Sequence, residues 1–212
     1  GHAMHGILTD VTYGSMAGTS GPRDFIELPS QLLEHWVSEP EVLKSFATHY
    51  ETGESMPDEL IEKLLKAGKF NQGFINTEYL AASLLDMDWH TMSELDAQNI
   101  SDNFEKSSMN KIGLIDQIAP RYRSTYFAHI FSGGYSSGYY SYVHAAVLDS
   151  DAFEAFKEAG DVFDSELSSK LRKEIYEKGS TEEAMDLYVN FRGRKPIIAP
   201  LLKVRGLDGS SD

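Results

Sequence analysis

GHAMHG at residues 1–6 and RDFIELPSQLLEHW at residues 23–36 are the two stretches on which the reading of this chain turns. On a helix, the pattern H-E-x-x-H sets two imidazoles one turn apart on one face. The Glu between them acts as general base for hydrolysis at a metal. A catalytic zinc takes three protein ligands and keeps one position open. Gly1-His2 fits the last two letters of such a pattern, and Glu27 is an acidic residue of the type that can supply a further ligand. Each residue also has an ordinary explanation. A Gly-His start is what an expression tag leaves behind. Asp24-x-x-Glu27 is a variant capping box, with Asp24 as the N-cap. Pro29 lacks the amide that a helix interior needs, so the helix around Glu27 should kink or start late.

Composition narrows the class. The 212 residues suffice for one domain, two at most. A hydrophobic content of 41% and a charged content of 25% are those of a globular protein. With 33 acidic against 19 basic residues the formal charge is −14, which argues against nucleic acid or an anionic membrane as partner. The chain has no cysteine, which excludes disulfides and thiolate metal sites and suits the reducing cytoplasm. No apolar run approaches the roughly 20 residues of a membrane span.

Helical periodicity runs through most of the chain. Residues 1–11 read as the end of a helix, 12–23 as a Gly/Ser/Thr-rich loop, and 24–38 as a helix carrying Phe25, Leu28, Leu32 and Trp36 on one side. Further helices are expected over 41–50, 58–66, 77–89, 93–106, 135–148, 152–158, 164–177 and 181–191. Gly160, Gly179 and Gly193 follow the last three. Ser180-x-x-Glu183 has the form of a capping box, and the terminal GSSD reads as a frayed end. Alternating strand patterns are scarce, so the expected fold class is all-α.

A second constellation lies in HIFSGGYSSGYYSY, residues 129–142. Tyr135, Tyr139 and Tyr142 fall at i, i+4 and i+7, which is one face if the segment is a helix. They could be a packed core face whose hydroxyls find local partners. They could also, with His129, aim donors at a developing oxyanion. Gly133 and Gly134 would then let Tyr135 move as substrate binds.

Together these stretches resemble the thimet oligopeptidase and neurolysin family of zinc metallopeptidases, in particular its bacterial peptidyl-dipeptidase (dipeptidyl carboxypeptidase) branch. GHAMHG is similar to the end of that family's zinc helix, and the 25-residue spacing from His2 to Glu27 matches its third ligand. PRYRSTYFAHIFSGGYSSGYYSY (120–142) and FRGRKPIIAPLLKVRGL (191–207) also look like the family, so the resemblance spans essentially the whole chain.

The resemblance implies the C-terminal part of a channel-type, zincin-like catalytic domain over residues 1–212. Residues 1–11 would end the zinc helix, 24–38 would form the third-ligand helix, and 129–148 the glycine loop and tyrosine helix. It implies zinc held by His2 and Glu27. His129, Tyr135 and Tyr142 would be catalytic, with Tyr139, Gly133 and Gly134 contacting substrate. Short peptides would enter the channel and folded proteins would not. His5 falls just past the motif and is expected to be structural. The first zinc His and the general-base Glu do not occur in these residues, so the chain alone is expected to be inactive and to need the N-terminal half of the protein. Apolar surface meant for that half could pair two copies into a dimer. Two positions depart from the family: His144 stands where a Trp is usual and Ala146 where a Glu is usual. Arg121 and Arg123 are candidates for gripping a substrate carboxylate. The rival expectation is a non-catalytic helical domain that binds peptides along its tyrosines.

Overall fold

The computed structural model describes residues 1–93 and 102–209. In chain order its helices are α1 (His2–Leu8), α2 (Leu28–Leu32), α3 (Glu34–Val37), α4 (Pro40–Phe46), α5 (Asp58–Lys69), α6 (Gln72–His90), α7 (Asp102–Lys111), α8 (Ala128–Phe131), α9 (Ser141–Ala159), α10 (Ser165–Leu171), α11 (Ala184–Arg192) and α12 (Ala199–Val204). The described residues include no strand, only one isolated bridge between Thr48 and Ser55, so the chain is all-α. No helix among them is long and apolar enough to cross a membrane. The helix expected over 93–106 falls largely outside the described residues, as does most of the terminal GSSD.

The chain divides into two compact units, Gly1–Phe70 with His144–Asp212, and Asn71–Val143. In the first, Leu28 and Leu32 of α2 pack with Leu148, Ala152 and Phe156 of α9 and with Leu187 and Phe191 of α11. These positions recur every three or four residues, so each helix turns one apolar stripe inward. Trp36 stands edge-on to Phe153 and Phe156, with ring centroids 4.7 and 5.0 Å away. Its Nε1–H donates to the Val162 carbonyl at 2.8 Å. After α10 the helix widens for one turn over Arg172–Tyr176, where the Glu177 amide reaches back five residues to the Arg172 carbonyl.

Several helix boundaries differ from those expected, and three of the differences have a clear local cause. The helix expected over 24–38 starts at Leu28, with Pro29 in its first turn, where no amide is required. Its N-cap falls on Glu27 rather than Asp24. Residues 141–159 form one helix where two were expected, because Asp149 and Asp151 are buried and paired instead of marking a break. The last long helix opens at Ala184, capped at Glu183 without a side-chain bond. Ser180 is engaged elsewhere, its amide donating to the Met16 carbonyl at 2.9 Å.

Asp151 anchors the FRGR stretch. It is fully buried and accepts two bonds from Arg194, Nη2 to Oδ1 at 2.6 Å and Nη1 to Oδ2 at 3.0 Å. The Tyr188 hydroxyl donates to Oδ2 at 2.6 Å, and Arg192 Nε donates to the Asp151 carbonyl at 3.0 Å. Burial first, and then this bond to a carboxylate, hold the Tyr188 phenol well above its usual range.

In the second unit α7 packs on α6 through Ala81, Leu85 and Met109. Glu105 of α7 is buried, accepts the Ser124 amide at 2.8 Å and pairs with Arg123. Arg121 pairs with Glu78 at 3.1 Å and lies over the Tyr79 ring. Both arginines singled out in the sequence therefore engage carboxylates of their own unit.

Candidate active site

The metal-ligand pair depends on a close approach of backbones in the first unit. A Cβ on Gly1 would lie 2.1 Å from the Pro29 carbonyl oxygen and 2.3 Å from the Ser30 Cα. Only glycine lets the start of α1 come this near α2. The approach brings His2 Nε2 to 3.1 Å from Glu27 Oε2. The Glu27 carboxylate is buried, whereas the His2 side chain is 47% exposed. Ser30 Oγ lies 2.7 Å from Glu27 Oε2 and donates toward it. The Tyr176 hydroxyl donates to the Pro29 carbonyl at 3.2 Å, fixing the same turn from beneath, and burial pushes the Tyr176 phenol up to about 12.

His5, on the same face of α1 as His2, points inward and meets Tyr176 edge-on at 5.9 Å. Neither of its ring nitrogens has a hydrogen-bond partner among the described residues. Burial, and then the nearby His2, push its pKa down, so it stays neutral. Two ligands of a tetrahedral ion with bonds of 2.0–2.1 Å stand about 3.3 Å apart. The 3.1 Å contact fits two such positions. No group of three His, Cys, Asp or Glu side chains with ligand geometry occurs among the described residues, so His5 does not complete a set.

The second unit holds the tyrosines in a cluster built on α8 and the turn after it. A Cβ on Gly133 would lie 3.0 Å from the His129 Cα and carbonyl oxygen, and Gly134 is left-handed at φ 78°. Both glycines are thus required by the turn that folds Tyr135 back over α8, where its amide donates to the His129 carbonyl at 2.9 Å. Tyr135 and Tyr142, both half-buried, stack with centroids 5.1 Å apart. His129 stands edge-on to each of them at 6.2 Å. Its Nδ1 is buried and has no hydrogen-bond partner among the described residues. Tyr139 lies inside the cluster, stacked on Tyr79 at 5.4 Å and sharing a hydrogen bond with its hydroxyl. Burial and then Tyr79 raise the Tyr139 pKa far above a free phenol, so it remains a neutral donor.

Residues 1–207 match the sequence pattern of Peptidase family M3. The chain belongs to this family. It is 42% identical over 209 residues to the dipeptidyl carboxypeptidase of Escherichia coli K12, covering 98% of the chain and 30% of that protein. It is 36% identical over 208 residues to oligopeptidase A of Haemophilus influenzae, covering 98% of the chain and 30% of the relative. It is also 38% identical over 216 residues to the organellar oligopeptidase A of Arabidopsis thaliana, covering all of the chain and 27% of the relative. The chain thus spans about 30% of the length of these relatives.

Within this M3 chain, His144 and Ala146, the two positions expected to depart from the family, both lie on α9. His144 Nδ1 faces the Asp24 carbonyl at 3.0 Å and so carries the proton, tying α9 to the segment before Glu27. Ala146 is buried. Ser30 and Asp86 stand in no motif of the sequence, and the motif that holds Gly1 says nothing of its contact with α2. Asp86 is fully buried on α6 and accepts the amides of Ser137 and Tyr139, both at 2.9 Å. Its one visible signal was an acidic residue directly after the apolar run of AASLLDMDWH, four positions before a histidine.

Proposed function

We propose that this M3 chain is the C-terminal part of the catalytic domain of a zinc-dependent oligopeptidase, of the peptidyl-dipeptidase kind, acting on short peptides. The observation that carries this is the meeting of His2 Nε2 and the buried Glu27 carboxylate at 3.1 Å, made possible by the close contact at Gly1. His2 and Glu27 would hold the zinc ion as two of its protein ligands. What the ion supplies when bound is Lewis acidity toward the scissile carbonyl. Ser30 orients the Glu27 carboxylate through its hydroxyl.

The tyrosine cluster takes the other part of the chemistry. Tyr135 and Tyr142 present phenol donors, and His129 an imidazole, to the oxyanion that develops as the scissile carbonyl becomes tetrahedral. Tyr139, Gly133 and Gly134 shape the surface against which the peptide lies. On this reading the general base and the remaining ligand are those of an H-E-x-x-H helix, a pattern these 212 residues do not contain, and the chain alone would be inactive.

A His2–Glu27 ion pair in a peptide-binding domain would show the same 3.1 Å contact. A chimera separates the two readings: this chain replaces the matching 30% of the Escherichia coli dipeptidyl carboxypeptidase. It should cleave a quenched-fluorescence peptide in a zinc-dependent way. A folded, zinc-supplied chimera that cleaves nothing would refute the proposal.

A further inference from the structure

Asp86 is an ionisable side chain on α6 with no solvent exposure, in the same unit as the tyrosine cluster but outside its aromatic contacts. A buried carboxylate is tolerated only when donors satisfy it. Here they come from one loop and one neighbour. The Ser137 amide donates to Oδ1 and the Tyr139 amide to Oδ2, each at 2.9 Å. His90, four residues along the same helix, places Nδ1 2.8 Å from Oδ1 and 2.9 Å from the Asp86 carbonyl. Two acceptors on one nitrogen require that Nδ1 carry the proton.

The loop that Asp86 holds connects α8 to α9. Its near end is fixed to α8, with the Ser132 amide on the Ala128 carbonyl at 2.8 Å and the Tyr135 amide on the His129 carbonyl at 2.9 Å. Its far end makes only short turns of its own, the Gly138 amide on the Tyr135 carbonyl at 2.8 Å and the Ser141 amide on the Gly138 carbonyl at 3.1 Å. Ser137 is left-handed at φ 55°, a conformation that costs a non-glycine residue free energy and persists only where surrounding bonds impose it. The carboxylate of Asp86 supplies such bonds, taking the two amides that flank Gly138 just before α9 opens at Ser141. Tyr135 therefore sits on a segment held at both ends, with its ring against Tyr142.

We propose that Asp86, backed by His90, is a positioning residue that fixes the Tyr135–Tyr142 pair. On the reading under Proposed function, on which this relevance rests, it does so for recognition of a peptide carbonyl. The test uses the 212-residue chain and the variants Asp86→Asn and His90→Ala. Three quantities are read: amide hydrogen exchange at Ser137 and Tyr139, ring-to-ring NOEs between Tyr135 and Tyr142, and affinity for a fluorescein-labelled tetrapeptide. In Asp86→Asn the Ser137 and Tyr139 amides should exchange about 10- to 100-fold faster, as expected on losing bonds to a charged acceptor. Exchange at Leu85 and Met109 should be unchanged, the ring NOEs should disappear, and peptide affinity should fall about tenfold. His90→Ala should produce the same pattern more weakly, and it carries the comparison if Asp86→Asn unfolds. Unchanged loop exchange and intact ring NOEs in the variants would overturn the proposal. So would an unchanged peptide affinity in a variant whose loop is released. A wild-type chain that binds no peptide counts against the proposed function, and the exchange and NOE results then decide the anchoring role alone.

Discussion

Replacing Asp151 with alanine should lower the unfolding free energy of the chain by about 3–5 kcal/mol, the range for removing one partner of a buried ion pair. The magnitude follows from what is left behind. Arg192, with a side chain only 9% exposed, would lose a carboxylate 3.6 Å from its Nε, keeping Glu158 at 2.7 Å and the backbone carbonyl of residue 151. Arg194, at 36%, would lose both of its short bonds to Asp151. The Tyr188 hydroxyl would keep only the Leu148 carbonyl, at 3.2 Å. Water reaches Arg194 and can compensate it in part, but Tyr188 is fully buried and no water reaches it. The contrast is Lys203→Ala, which removes an exposed pair with Glu154 and should cost less than about 1 kcal/mol. Urea titration of both variants measures the difference. A loss below about 1 kcal/mol for Asp151→Ala would show that the network contributes little.

Tyr142→Phe in the chimera should reduce kcat by about 10²–10³ while KM changes by less than about threefold, since an oxyanion donor acts mainly in the transition state. The variant removes one oxygen and keeps the ring. The stack on Tyr135 and the edge contact with His129 should therefore survive, and the loss is assigned to the hydroxyl. Tyr139→Phe gives a different expectation. Its hydroxyl is spent on Tyr79 inside the cluster, so the variant should act through packing and stability rather than through kcat alone. A Tyr142→Phe chimera with kcat within twofold of the parent would remove Tyr142 from the chemistry.

The all-α class and the α5 and α6 helices were legible in the sequence, and so was a pairing of His2 with Glu27, which meet at 3.1 Å. Helical spacing and motif separation are local properties, and here no tertiary contact competes with them. What escaped depends on burial. Asp149-Ser150-Asp151 looks like a polar break between two helices. In the fold all three are buried within one helix, because Asp149 meets His35 and Gln31 and Asp151 meets Arg194. Tyr135, Tyr139 and Tyr142 have the spacing of one helix face, but Asp86, some 50 positions earlier, claims the amides that a helix there would use. The tyrosines converge all the same, from a turn and a helix start rather than from one helix. Gly1 looked like part of a tag or a motif remnant. Its structural role appears only when the Pro29 carbonyl is seen against it.

The most direct measurement is zinc binding by the 212-residue chain, compared with Glu27→Gln and His2→Ala. Two donors at 3.1 Å hold an ion weakly, so little zinc should remain after dialysis against trace metal. Titration should then reveal one weak, saturable site that both substitutions remove. Zinc binding that is the same in the parent and in both variants would contradict the assignment of His2 and Glu27 as metal ligands.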